Sequence, residues 1–230
     1  MKLRTFAKTG TNYGGFFASG LGSFTMPITF AGWFRFGDCV TGTSSSRLIF
    51  KYGANATYGG SNDGFGFGVV WNFGGGAITD TGLCYLVEGL EWRKVATRDD
   101  SWHHLAVIGK LGSSPVTNAV YIDGVNRYTA SSPYAMSSPS DVFSLLGRPN
   151  ADGYDIDAFV CRPVIYNGIL SATEILNDMS MGADIIREKA LHFWDGSVNA
   201  SGKAVDVIGD WHLTPSAGCF ITDELPQVLT

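Results

Sequence analysis

Between Ile28 and Phe36 the chain reads ITFAGWFRF, and an extended backbone sends Ile28, Phe30, Phe34 and Phe36 to one side and Ala31 and Trp33 to the other. Apolar residues on both sides predict a strand that is covered on both faces. Arg47 to Tyr52 alternates in the same way. Gly64 to Trp71 places Phe65, Phe67, Val69 and Trp71 on one face and glycines on the other, which predicts a close backbone approach on the glycine side. Further strands are predicted at Gly82–Glu88, Trp102–Gly109, Ala119–Ile122, Val142–Gly147 and Ile156–Tyr166, with Gly, Pro, Ser and Asn filling the gaps. Ser131–Ser140, with Pro133 and Pro139, reads as loop. The period changes once. Ser171-Ala-Thr-Glu174 is a capping box, and Ile175, Leu176 and Met179 form an apolar stripe behind it, which predicts a helix over Ala172–Ser180 and a further turn near Asp184–Ala190. This order of elements predicts an all-β sandwich or jelly roll with one short capped helix.

Composition narrows what such a sandwich could do. At 230 residues the chain is within the range of a single all-β domain. No apolar run approaches the eighteen or so residues needed to cross a bilayer. Charged residues are only 16% of the chain, and a surface poor in charge loses little on being covered, so an assembly subunit is expected. The net charge of −5, with no Lys/Arg cluster, argues against nucleic acid and anionic membrane as partners. The first residues carry two positive charges but no apolar h-region, so no secretory signal is expected. Cys39, Cys84, Cys161 and Cys219 are far apart in the chain, form no C-x-x-C pair, and are expected to be free thiols.

Three ordered motifs carry a resemblance. Ser23-Phe24-Thr25 leading into Ile28–Trp33, then Trp102-His103-His104-Leu105-Ala106-Val107 followed by Val120-Tyr-Ile-Asp-Gly124, and finally Ile165-Tyr166-Asn167 through Leu170-Ser171-Ala-Thr-Glu174-Ile175, together resemble the laminin-G-like, concanavalin-A-like jelly roll over about Phe16 to Ile175. The chain departs from that pattern at Cys161 and Arg162, where an acidic residue four or five places before the closing Tyr is usual. The resemblance implies a two-sheet antiparallel jelly-roll sandwich. Residues 1–180 would form the laminin-G-like domain with its N-terminal strand, and residues 181–230 a C-terminal extension that packs on the sandwich or docks to a partner.

Candidate chemistry is sparse. His103 and His104 are adjacent in a strand, so their rings point to opposite faces and cannot hold one metal together. One is expected to pack with its nitrogens satisfied by backbone or loop groups, the other to top the strand. Asp123-Gly124 reads as a hairpin turn. No pair of carboxylates alternates along a strand as glycan hydrolysis on this fold requires; Glu88 and Glu91 fall on opposite faces. A non-enzyme with no catalytic residues, no metal and no cofactor is therefore expected, calcium being the one ion the resemblance allows. The resemblance implies ligand binding by Asp/Asn oxygens beside an aromatic face in end loops. The candidates are Tyr58, Asn62 and Asp63; Asn72 and Asp80; and Asn150, Asp152, Tyr154 and Asp155, where Asp152-Gly-Tyr-Asp155 is the best set. Asp and Asn also populate turns for their own backbone's sake, which is the competing reading.

Beyond the recognised region, Leu191–Gly196 and Val205–Leu213 read as an added pair of strands or a docking arm, with Phe193, Trp194 and Trp211 as contact surface. A chain ended after Ala190 is then expected to keep the jelly roll folded. These features favour a lectin-like structural or accessory protein of a virus particle, a bacteriophage in this reading. It would decorate a capsid or adhere from a tail, would be assembled in the host cytoplasm and displayed on the virion surface, and would be a homo-oligomer or be bound to a capsid or tail protein with a surface glycan as ligand. A free carbohydrate-binding lectin and a glycan hydrolase are the alternatives.

Overall fold

Alternation along the chain becomes sixteen strands and one helix among the described residues. The computed structural model describes residues 3–8, 15–19, 27–36, 46–53, 64–70, 82–87, 91–97, 99–109, 116–132, 142–147, 157–182 and 184–227. In chain order the strands begin with β1 (Thr5–Lys8), β2 (Phe16–Ser19), β3 (Ile28–Phe36), β4 (Ser46–Gly53), β5 (Gly64–Val70), β6 (Gly82–Val87), β7 (Glu91–Thr97) and β8 (His103–Gly109). They continue with β9 (Val116–Ile122), β10 (Val125–Ser132), β11 (Val142–Leu145) and β12 (Ala158–Asn167), then the helix α1 (Ala172–Ser180), and close with β13 (Ala190–Val198), β14 (Ala204–Asp206), β15 (Thr214–Pro215) and β16 (Cys219–Thr222). Two antiparallel sheets result. The nine-stranded one runs β10-β9-β8-β3-β12-β1-β16, with β13 on β12 and β14 on β13; the seven-stranded one runs β15-β2-β11-β4-β5-β6-β7.

The two-faced pattern of β3 is realised as two cores. Ile28, Phe30, Phe34 and Phe36 face the opposing sheet, where Phe30 stacks on Phe50 with ring centroids 3.9 Å apart and Phe34 meets Phe67 edge-on at 5.6 Å. Ala31 and Trp33 join a second cluster on the outer face with Ala106, Val164, Tyr166, Leu170, Ile175, Ile185 and Phe193. Helix α1 covers that outer face. Its Ser171 hydroxyl accepts the Glu174 amide while the Glu174 carboxylate accepts the Ser171 amide at 2.8 Å, as the capping box predicts. Lys189 also donates to Glu174, and these contacts hold its carboxyl down to about 2.

The departure at Cys161 and Arg162 has a structural cause. Along β12, Cys161 pairs with Trp33 and Val164 with Ala31, so Arg162 and Pro163 together oppose the single residue Gly32. A side chain at Gly32 would come within 3.2 Å of the Arg162 carbonyl oxygen and Pro163 Cα, which is why glycine sits there. Arg162 adopts φ 55° in this bulge and is fully buried. Its guanidinium reaches the helix, where it donates to the Asp178 backbone carbonyl at 2.6 Å and to Asp178 Oδ2 at 2.9 Å; it also donates to the Asp184 carbonyl.

The C-terminal aromatics do not form the contact surface expected of them. Phe193, Trp194 and Trp211 are 1%, 0% and 6% exposed. Trp194 stacks on Phe143 of the opposing sheet at 5.1 Å and 5°, and its indole N–H donates to the Trp211 carbonyl at 2.8 Å. The sequence pattern hides this burial because β13 lies beside the bulged end of β12, where Val164 pairs with Phe193. Each face of β13 therefore meets a different core: Phe193 the outer one, Trp194 the inner one. Asp206 organises the connection, accepting the amides of Phe193, Ile208, Gly209 and Trp211 at 2.9–3.2 Å and contacting His192 Nδ1 at 2.5 Å. Burial pushes the Asp206 carboxyl up, but His192 and the amides outweigh it and hold it below the ordinary range.

Candidate functional site

Strand geometry separates the two histidines as expected. His104, fully buried on the outer face, places Nε2 2.8 Å from Asp178 Oδ2 of α1 and meets Trp33 edge-on. Its partner is a helix carboxylate, where a backbone or loop group was expected. His103 points to the other face at the strand end. There it is held between two carboxylates, with Nδ1 2.7 Å from Asp123 Oδ2 and Nε2 2.8 Å from Asp99 Oδ1. The three groups form a line, each ring nitrogen taken by one carboxylate, and do not converge on a common point. Among the described residues no group of His, Cys, Asp or Glu is arranged to hold a metal ion.

Asp123 is where it is because Asp123 and Gly124 form a two-residue turn at φ 53° and 72°, joining β9 to β10. The Asp123 carboxylate also accepts the His104 amide at 2.9 Å. The hydrogen bond to Asp123 raises the His103 imidazole from its ordinary 6.5 to about 9; burial opposes the rise and Asp99 adds to it. The hydrogen bond to His103 holds Asp99 below 3.8. Burial pushes Asp123 up, but its bonds to His103 and the His104 amide outweigh that and hold it below 3.8 as well. The imidazolium form is thus favoured on folding, so its contribution is complete below pH 6.5 and is lost as pH rises through about 9. On the acid side the carboxylates contribute above about pH 4, and that part is lost as pH falls. His103→Gln is therefore expected to flatten the decline of stability between pH 6.5 and 9. The two carboxylates are well exposed, so the stability lost between pH 6.5 and 9 should differ between the two proteins by about 1 kcal/mol. Parallel melting profiles of the two proteins over that range would refute this.

The same bonds build one wall of a cleft. Asp99 accepts the Ser101 amide at 2.7 Å as well as engaging His103, which fixes the turn that carries Asp100, Ser101 and Trp102. The floor is β3, whose outer face presents Trp33 and Arg35. Arg35 lies 4.4 Å above the ring of its cross-strand neighbour Phe159 and 5.5 Å from the Trp102 ring centre. The far wall is the C-terminal segment Glu224–Gln227. Thr5 donates to the Glu224 carbonyl, Arg4 Nε contacts Asp223 at 3.0 Å, and Arg35 contacts the Glu224 carboxylate at 2.5 Å. The cleft is half open to solvent and has a volume of about 490 Å³, within the range of small-ligand sites. The indole Nε1 of Trp33 and the Nε of Arg35 are both buried beside it with no hydrogen-bond partner among the described residues.

None of the loop residues singled out from the sequence can be compared with this cleft. Tyr58, Asn62, Asp63, Asn72, Asp80, Asn150, Asp152, Tyr154 and Asp155 lie outside the described residues. The cleft is hidden in the sequence because Trp33 and Trp102 fall within predicted strands, and Glu224 lies nearly two hundred positions from β3. One signal was available. An Arg two places after a Trp on the face opposite Phe34 and Phe36 marks an outer surface with both aromatic and charged character.

The comparisons fit this architecture. A crystal structure of a native heptameric SAP-like pentraxin from Limulus polyphemus matches over 96% of this chain and 95% of its own, with TM-score 0.62 and 11% identity. A structure from Bacteroides ovatus, described as a candidate carbohydrate-binding protein, matches over 100% of this chain and 63% of its own, with TM-score 0.63 and 14% identity. At these identities the likeness is one of fold. No curated protein matches the chain by sequence. The Laminin G 3 family, described as the concanavalin A-like lectin/glucanases superfamily, matches residues 9–176, and the chain belongs to that family.

Proposed function

We propose that the chain is a non-catalytic carbohydrate-binding module whose ligand occupies the cleft between Trp102 and the C-terminal segment. The observation that carries the reading is the mixture in one concave site: a half-buried indole at Trp102 against which a sugar face can pack, and hydroxyl, carboxylate and amide groups from Ser101, Asp100, Glu224 and Gln227 around it. Membership of the lectin/glucanase family and the Bacteroides ovatus likeness support the carbohydrate-binding part of the reading. The carboxylates supply hydrogen-bond acceptors; Glu224 is engaged by Arg35, unlike the acid of a glycosidase pair, which must be poised against the scissile bond. The virion setting expected from the sequence rested in part on Phe193, Trp194 and Trp211 as contact surface. With these buried, the 16% charged fraction is what still speaks for assembly into a larger particle.

The test is calorimetric titration with mono- and oligosaccharides, together with an assay for released reducing ends. Binding without cleavage is expected, and Trp102→Ala should weaken it roughly tenfold, or about 1.4 kcal/mol, by removing the stacking face. Cleavage that disappears on replacing Asp100 or Glu224 would turn the reading into a hydrolase. Unchanged affinity in Trp102→Ala would move the site elsewhere.

A further inference from the structure

On the reading that this cleft holds a sugar, we infer that the sugar is an N-acetylated hexosamine whose acetamido carbonyl accepts the N–H groups of Trp33 and Arg35. Trp33 is 5% exposed, and its indole Nε1 is a donor that can never accept. Nε of Arg35 is the same kind of group, two positions along the same face of β3. Both are buried without a partner among the described residues, and both residues line the cleft. Among the described residues four buried side-chain nitrogens lack a partner: His104 Nδ1 and Arg162 Nε belong to the network around Asp178, while the two on cleft-lining residues are the ones to which a bound molecule can bring an acceptor.

The chemistry of the rest of the site selects which acceptor. A sugar hydroxyl accepts, but it also carries a hydrogen of its own to place. A carboxylate, as in uronic or sialic acids, would meet Asp100 and Glu224 against Arg35, the one cation among the described lining residues, in a chain of net charge −5. A free amino sugar would set a cation against two N–H donors. The acetamido group answers each feature. Its carbonyl is a neutral, acceptor-only oxygen for the two donors, and its N–H can donate to the Glu224 carboxylate. Its methyl finds Leu225, Pro226 and the Trp102 ring. Both nitrogens are buried, and the Arg35 guanidinium is tied to the Glu224 carboxylate through its Nη2. A group that offers a carbonyl to Arg35 and an N–H to Glu224 can replace that ion pair with one hydrogen bond to each partner.

The experiment uses ¹⁵N-labelled full-length protein titrated separately with N-acetylglucosamine, N-acetylgalactosamine, glucose and glucuronate. The signal followed is the Trp33 indole N–H, identified by its absence from Trp33→Phe. An N-acetylated sugar is expected to shift that signal and glucose to leave it in place. Trp33→Phe should lose about 3- to 10-fold in affinity for the N-acetylated sugar. If the variant does not fold, the wild-type Trp33 indole signal, assigned instead from backbone-to-side-chain resonance connectivities, decides alone. Equal binding of glucose and N-acetylglucosamine, a preference for glucuronate, or binding that leaves the Trp33 signal unmoved would each overturn the inference while leaving a sugar-binding cleft. Failure to bind any mono- or oligosaccharide would overturn the carbohydrate reading itself, and this inference with it.

Discussion

A chain ended after Ala190 is expected to show no cooperative unfolding transition. The sequence alone suggests the opposite, since the recognisable motifs stop near Ile175. The structure changes the expectation because residues 190–222 supply strands to both sheets: β13 on β12, β16 on β1, and β15 on β2. The cut removes Trp194, Ala204, Trp211 and Leu213 from the inner core and Phe193 from the outer one. Losing one buried Trp or Phe side chain costs about 3–5 kcal/mol, and a whole domain is stable by only about 5–15 kcal/mol. The cut takes away three buried aromatics, Phe193, Trp194 and Trp211, so the loss of about 9–15 kcal/mol is as large as the stability itself. Trp194→Ala is the graded version, expected to cost about 3–5 kcal/mol because Phe143 loses its stacked partner and the Trp211 carbonyl loses its donor. A truncated protein that still melted cooperatively near the full-length temperature would show that the C-terminal strands only decorate the sandwich.

What was legible in the sequence follows from where each strand lies. β3 has the predicted bounds because it is central and buried on both faces, so every position reports its environment. β7 and β10, which were not predicted, are the outermost strands at one end of each sheet. Their sequences, EWRKVAT and VNRYTASS, are polar, as edge strands must be to avoid pairing with other chains, and that polarity removes the alternation that would reveal them. The helix was legible to the residue because a capping box is a local device. The bulge at Arg162 was not, because the residue that makes room for it, Gly32, lies more than a hundred positions away. The cleft fails for the same reason. It is assembled from β3, the turn before β8 and the C-terminal segment, and distance in the chain hides such a meeting even though each residue is plain in the sequence.

The second large effect is expected at Asp178, the polar centre of the helix–sheet contact. Its carboxylate accepts from Tyr166 and meets Arg162 at 2.9 Å and His104 at 2.8 Å, with Arg162, His104 and Asp178 all fully buried. Burial pushes this carboxyl up, but the bonds from His104, Arg162 and Tyr166 outweigh it and hold it below 3.8. Its contribution is therefore present above about pH 4 and is lost as pH falls through the lowered value. Asp178→Ala removes the anion and leaves the Arg162 cation buried, which is expected to cost about 3–5 kcal/mol in urea denaturation. The loss should exceed by several-fold the roughly 1 kcal/mol expected for Ser171→Ala, which weakens the same helix only at its cap. That contrast separates the two explanations. If α1 mattered only as an independent helix, the cap and the carboxylate would cost similar amounts; if it is a lid fixed to the bulge of β12, the carboxylate dominates. Replacing Asp178, Arg162 and His104 together by apolar residues of similar volume should recover much of the loss, because the penalty lies in the unpaired charge rather than in the absence of the pair. A Asp178→Ala protein as stable as Ser171→Ala would show that the buried network does not hold the helix to the sheet.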